Sequence, residues 1–161
     1  MHLETVKSRL ETSGFRLDDE AIAEIGPWMR WSTSFCALFT LLGTALASPP
    51  ILWALAATAL LGSLLPNHPF DYVYNYGVRR LTGTRPLPPN PPPRKFACYV
   101  ATPWLIGTGL AFFLGADVVG YALGVSFVFV AGLVSVTHIC IPSLIYNALF
   151  GAKVSEAATA P

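Results

Sequence analysis

Charge is scarce in this sequence and unevenly spread. Asp, Glu, Lys and Arg make up only 12% of its 161 residues, against about 25% in an ordinary soluble domain. None lies between Trp31 and Leu65, and between Phe96 and Phe150 only Asp117 is ionised at neutral pH. A soluble core helix needs a polar face, whereas segments apolar all round belong in lipid. The formal net charge is +1, which argues against a polycationic nucleic-acid binder, so no nucleic-acid partner is expected. Cysteine is equally sparse. Cys36, Cys98 and Cys140 are odd in number and lack framework or zinc-ligand spacing, so they read as free thiols. Residues 1–27 contain no apolar run of signal-peptide type, and the first hydrophobic segment is expected to act as an uncleaved anchor.

What the chain does have is long apolar runs, and hydrophobic residues make up 53% of it. The expected fold is an all-α membrane protein with four transmembrane helices in two hairpins, spanning about 31–47, 51–65, 96–114 and 118–141. Ser48-Pro49-Pro50 joins the first pair and Gly115-Ala116-Asp117 the second; Pro103 is expected to kink the third helix, and Pro142 to break the last apolar run near residues 139–141. The basic residues set the orientation. Lys7, Arg9, Arg16 and Arg30 precede the first span, Arg79, Arg80, Arg85, Arg94 and Lys95 lie between the second and third, and Lys153 follows the fourth. The two opposite loops carry none, so both termini and the central loop are expected in the cytoplasm.

Residues 1–27 form an N-terminal head of two amphipathic helices, the first stopped at Gly14 and the second capped by Asp18 and ended at Gly26-Pro27, lying on the membrane or on a partner. In the central loop, 67–83 read as an interfacial amphipathic helix. Its apolar stripe is Phe70, Val73, Val78 and Leu81, its polar stripe Asp71, Asn75 and Arg79, and Tyr72, Tyr74 and Tyr76 suit headgroup level. Asp71 and Asp117 are thereby expected outside the apolar core. Residues 86–93, rich in proline, read as a polyproline strut of about 25 Å joining the hairpins. The transmembrane domain covers 28–151, and 152–161 are expected to be a disordered tail. A faint repeat places Phe35-Cys36 against Phe96-Ala97-Cys98, and Pro69…Tyr74-Asn75 against Pro142…Tyr146-Asn147.

The runs Asn67-His68-Pro69-Phe70-Asp71, Tyr74-Asn75-Tyr76-Gly77 and Cys140-Ile141-Pro142-Ser143-Leu144-Ile145-Tyr146-Asn147 resemble the domain-of-unknown-function 4395 family of small bacterial four-helix membrane proteins. The resemblance covers about Trp31 to Gly151. It implies the fold and a bacterial inner (cytoplasmic) membrane location, N-in and C-in, and no activity. Some members of that family carry a Cys-x-x-Cys pair where this chain has Cys140 and Ser143, so two-thiol chemistry does not transfer on that motif.

Cys140, at a helix break, is the candidate reactive thiol; the plainer reading is a small residue packing at a kink. His68 and His138, which end the second and fourth spans, are candidate metal or pigment ligands. Interfacial histidines more often bond backbone groups freed by nearby prolines, so no cofactor is expected. Gly120 and Gly124 form a GxxxG step that lets helices approach closely, either inside the bundle or in self-association through the last helix. Pro69, Asp71, Asn75, Arg79, Pro142, Tyr146 and Asn147 are expected to be structural or interface positions. With the bilayer as its surroundings and no charge in a span, the chain is expected to be a non-enzymatic accessory subunit with a membrane-protein partner. The alternatives are a thiol- or sulfur-handling protein using Cys140, and a small solute transporter.

Overall fold

The computed structural model describes residues 3–137 and 139–158, with side chains for 4–137 and 139–150. Among these residues the secondary structure is entirely helical. Helices α1 (Leu3–Thr12) and α2 (Asp19–Ile25) and a 3-10 turn (Trp28–Arg30) lead into α3 (Trp31–Ala45) and α4 (Pro49–Leu64). A bent segment comes next, made of α5 (Pro69–Val73), a π turn (Tyr74–Val78) and α6 (Arg79–Thr82). The chain ends with α7 (Pro92–Phe113), α8 (Asp117–Thr137) and α9 (Ile141–Ala158). Two of these, α7 and α8, are long and apolar enough to cross a membrane, and the α4–α6 pair, bent by 81°, makes up to three.

Helices α3, α4, α7 and α8 pack in a ring, α3 on α4, α4 on α7, α7 on α8 and α8 on α3. Chain direction makes every neighbour antiparallel. The interior combines a cluster of Leu52, Leu55, Leu105 and Phe112 with small residues, Thr40, Thr44, Ala56, Ala59, Thr108, Ala111 and Ala131, while Leu38, Leu42, Phe113, Val118, Val125 and Phe129 are exposed on the outside. So many large apolar side chains on the outside suit lipid rather than water. In lipid, where apolar surfaces gain nothing by leaving the solvent, small residues at the contacts let backbones approach closely.

Several boundaries differ from the sequence reading, and most involve proline. Pro49 and Pro50 sit in the first turn of α4, not in the connection, because the N–H that proline lacks is unpaired there anyway. Pro92 and Pro93 open α7 in the same way, which shortens the strut at its C-terminal end. Pro103 lies within α7, which is helical on both sides of it. The break before Pro142 falls between Thr137 and Ile141, with Pro142 in the first turn of α9. The backbone is helical as far as Ala158, through a stretch rich in alanine with good helix propensity.

The head also departs from expectation. Asp18 caps α2, its carboxylate accepting the Ala21 N–H. Rather than lying on lipid or a separate partner, however, the head docks on one end of its own bundle. Leu10, Phe15, Ile22, Ile25 and Met29 form a buried cluster with Tyr74 and Leu87. Arg9 donates to the carbonyl of Thr137 at 2.6 Å, and Arg30 to those of Ser135 and Val136 at 3.3 and 3.4 Å. Both guanidinium groups thus meet the negative C-terminal end of α8, where last-turn carbonyls lack helix partners. Asn147 adds a bond from α9 to the Thr12 carbonyl at 2.6 Å. On the outer flank, Arg85 of the strut faces Glu24 and Glu20 at 3.0 and 3.2 Å.

Asp71 and Tyr74 provide the sharpest corrections. Asp71 is 1% exposed and Tyr74 is fully buried, while Val73 and Leu81 of the same segment point outwards. The two expected stripes are therefore mixed: Asp71 faces the protein but Arg79 is exposed, and Val73 and Leu81 face out while Phe70 and Val78 pack inwards.

Candidate functional site

Just beneath the docked head, α3, α7, α8 and the start of α9 line a cavity of about 150 Å³. Cys36, Cys98 and Cys140 all line it, with His68, Arg94 and Ser143. Leu10, Ser13 and Phe15 of the head also contribute to its walls. The three thiols are far apart in sequence, and each arrives for a separate reason. Cys36 lies on the second turn of α3, where Thr40 bonds its carbonyl at 2.7 Å; Cys98 is matched on α7, where Thr102 bonds its carbonyl at 3.0 Å. Cys140 arrives through the break that Pro142 enforces before α9.

His68 is set by local geometry. It caps α5, whose first residue is Pro69. The Phe70 N–H donates to its Nδ1 at 3.3 Å, and its own N–H donates to Asp71 Oδ2 at 3.3 Å, so the cap is reciprocal. Because Nδ1 accepts, the neutral ring carries its proton on Nε2. That nitrogen lies 3.9 Å from Cys36 Sγ, so the ring donates towards the sulfur. Burial pushes the imidazole down to about 4 against the opposing pull of Asp71, with Arg94 adding to the fall. His68 is therefore a neutral donor at physiological pH rather than a base. Gly62 makes the position available, because a Cβ there would overlap the His68 ring at Cδ2 and stand 3.2 Å from Nε2.

Arg94 supplies the charge. Its Nη2 donates to Ser32 Oγ at 2.7 Å and to the Met29 carbonyl at 3.2 Å, and lies 4.0 Å from Asp71 Oδ2. Its guanidinium stands 5.3 Å from the centre of the Phe15 ring. One guanidinium thus ties the head to the cavity wall and balances a buried carboxylate. Two polar atoms near it have no protein partner, Asp71 Oδ1 and Ser143 Oγ. Ser143 is fully buried and lines the cavity.

The expected site residues fall into three groups. Cys140, His68 and Pro142 line the cavity, Pro69 and Asp71 build the cap that holds His68, and His138 lies outside the described residues. Asn75, Arg79, Tyr146 and Asn147 are latches around it. Asn75 accepts the Leu87 N–H at 2.7 Å and donates to its carbonyl at 3.3 Å, while Arg79 Nε donates to the Thr84 carbonyl at 3.2 Å. Tyr146 packs between Phe96 and Phe150. Gly120 and Gly124 both pack inside the bundle. A Cβ on Gly120 would stand 2.6 Å from the Phe112 ring, and one on Gly124 would overlap the Thr44 side chain. Among the described residues no group of three or more His, Cys, Asp or Glu is arranged to hold a metal ion. The Cys36–His68 pair, Arg94 and Gly62 have no sequence signal as a set, since their spacings match no motif; the expected topology and the recurrence of Cys36 and Cys98 in the two halves hinted only that the thiols and His68 share one end of the spans.

Comparison with known proteins supplies a family. The family model described as Domain of unknown function (DUF4395) matches residues 27–150, which include the helical ring and every cysteine but leave out α1 and α2. No curated protein and no solved structure matches the chain.

Proposed function

The chain belongs to the DUF4395 family, and from that premise we propose that it is a four-span membrane protein that exchanges sulfur substituents at Cys36. The observation that carries the proposal is the 3.9 Å contact between Cys36 Sγ and a His68 Nε2–H whose tautomer is fixed by the Phe70 amide. A hydrogen-bond donor held against a sulfur favours the thiolate, the nucleophile in exchange, over the same buried thiol without it, and so offsets part of the cost of burial. In the reaction, Cys36 loses its proton to water and its thiolate attacks one sulfur of an incoming disulfide. A bond forms between Cys36 and that sulfur, the old S–S bond breaks, and the second sulfur leaves as a thiolate with the electron pair. Attack by another thiol on the mixed disulfide returns Cys36, so no oxidant or reductant beyond the disulfide and the thiol is consumed. Cys98 and Cys140, in the same cavity, are the nearest source of that second thiol within the chain.

Membrane placement is supported by the exposed apolar faces of the ring and the small residues inside it. Helices α3 and α4, of 15 and 16 residues, are short for a crossing of ~20, yet they pack beside α7 and α8 as equal members of the ring. The one-sided basic residues support a cavity end that faces the cytoplasm of a bacterial inner membrane. Apolar walls penalise charge in the cavity, so exchange needs water and a partner thiol to reach it, which gives the head control of access. The second reading, an accessory subunit, is favoured by the outer face of α9, where Leu144, Ile145 and Leu149 are exposed.

Treatment of membranes with a dithiopyridine probe, followed by peptide mass mapping, tests the thiol reading. Cys36 is expected to take up the probe first, and His68→Phe to slow that step on the order of tenfold, the value of one hydrogen bond to a charged group. Equal labelling of the three cysteines, unchanged in His68→Phe, would sink it.

A further inference from the structure

A second opening lies on the outer side of the bent segment, away from the thiols. It is a polar groove of about 530 Å³ between the π turn and the start of the strut, lined by Tyr72, Asn75, Tyr76, Arg79, Arg80 and Thr84. Three features bear on what it holds. Among the described ion pairs neither Arg79 nor Arg80 has an acidic partner, whereas Asp71 faces Arg94, the head acids Asp18, Glu20 and Glu24 face Arg85, and Asp19 faces Lys7. The groove borders the apolar face of the same segment, where Val73, Tyr76 and Leu81 are 58, 68 and 89% exposed. Tyr72 and Tyr76 stack beside it, with ring centres 6.1 Å apart and planes 13° from parallel.

The backbone explains how two adjacent arginines reach one groove. A π turn inserts a residue relative to an α-helix and rotates the succeeding residues around the axis, and such turns are frequent at functional sites. Here the π turn ends at Val78, immediately before Arg79. The Arg79 Nε–H is held by the Thr84 carbonyl at 3.2 Å, which fixes the guanidinium plane and leaves its other N–H groups directed elsewhere. A pair of guanidinium groups offers the forked donors that match phosphate oxygens. Exposed apolar side chains on one flank and tyrosines at the rim are the surroundings of a headgroup rather than of bulk water.

We infer that this groove holds the phosphate of an anionic membrane phospholipid between Arg79 and Arg80, with the lipid chains lying along Val73, Tyr76 and Leu81. The inference rests on the membrane reading and is independent of the thiol chemistry. An anchored headgroup would brace the bent segment, and with it the cap that holds His68.

Native mass measurement of the detergent-solubilised full chain, titrated with phosphatidylglycerol or phosphatidylcholine, tests it. The unaltered chain is expected to prefer phosphatidylglycerol by on the order of tenfold, as two interfacial cations give. Arg79→Gln with Arg80→Gln is expected to abolish the preference, Arg79→Lys with Arg80→Lys to retain only part of it, because the charge stays but the forked donors are lost, and the charge-matched control Arg16→Gln with Lys95→Gln to leave it intact. Equal loss in the control would show diffuse attraction and overturn the site, as would a preference that survives the double Gln change. Inorganic phosphate that displaces the lipid in the low millimolar range would assign the groove to a free anion and overturn the lipid. Equal binding of both lipids ends this inference but not the membrane reading; a chain that binds neither and stays in solution without detergent ends both.

Discussion

His68 concentrates several constraints in one side chain. Its ring is buried, its Nδ1 is taken by a backbone amide, and its Nε2 faces a sulfur. Burial and the amide that donates to Nδ1 both favour the neutral form, and together they predict an acid-sensitive fold. The folded pKa is about 4 where the ordinary value is 6.5, so between those limits the unfolded chain binds a proton that the folded chain does not. Stability therefore rises with pH across this window and is level above it, a swing of roughly 3 kcal/mol for a shift of this size. The thermal midpoint in detergent should fall as the pH is lowered from about 7 to about 5, and His68→Gln should flatten that part of the curve. An unchanged slope in the variant would remove His68 as the cause. Arg94 sits beside this histidine as the partner of Asp71, so an ionisable pair does lie in the interior, against the expectation from sequence. Asp71 looks like a surface residue in sequence because its neighbours alternate as on an interfacial helix; it is buried because the bend after α4 turns the start of that segment inwards.

At the scale of elements, the strut and the bent segment act as one piece. A polyproline stretch lacks internal hydrogen bonds, so its position must come from elsewhere. Asn75 bonds both backbone groups of Leu87, Asn67 donates to the Pro88 carbonyl at 3.1 Å, and the Asn90 N–H reaches the Pro66 carbonyl at 2.7 Å. Leu87 is thereby held in the cluster that seats the head. Asn75→Ala breaks two bonds and leaves the Leu87 amide without its acceptor, a loss of about 1–3 kcal/mol. Its consequence should reach the cavity, because the head closes it. Faster alkylation of Cys36 in Asn75→Ala membranes is the expected result, and an unchanged rate together with an unchanged thermal midpoint would show that the strut does not hold the head. Asn147 repeats the device at the second half, from α9 to Thr12.

At the scale of the whole molecule, the basic residues and the cavity share one end of the ring. Lys7, Arg9, Arg16 and Arg30 belong to the head or its junction with α3, and Arg94 and Lys95 open α7, whereas the α3–α4 and α7–α8 connections carry no basic residue. On the proposed four crossings, this distribution predicts that both described ends of the chain lie inside the cell. Single cysteines introduced at Ser48 and Ala116, in a background where the native cysteines are Ser, are expected to react with an impermeant maleimide from outside, and one at Arg85 only after the membrane is opened. Outside labelling at Arg85 would reverse the topology and place the thiol cavity on the opposite face.

The sequence by itself determined the all-helical content, the apolar segments, the asymmetry of basic residues and the family, because each is written in consecutive residues: uninterrupted apolar runs, charge that avoids two loops, and the Asn67–Asp71 and Cys140–Asn147 strings. It also located the Asp18 cap and the break before Pro142, which depend on neighbours within one turn. Only the tertiary structure decided that Cys36, His68 and Arg94 share a cavity. Those three sit on α3, on the cap of α5 and in the first turn of α7, and no local rule couples positions 36, 68 and 94. Their meeting depends on the bend after α4, on the missing Cβ of Gly62 and on the head closing from above, three packing events that arise only when separate helices find one another. For the same reason the prolines misled at Pro49 and Pro92. Proline forbids the interior of a helix but suits its first turn, and where a first turn falls is set by what the helix packs against.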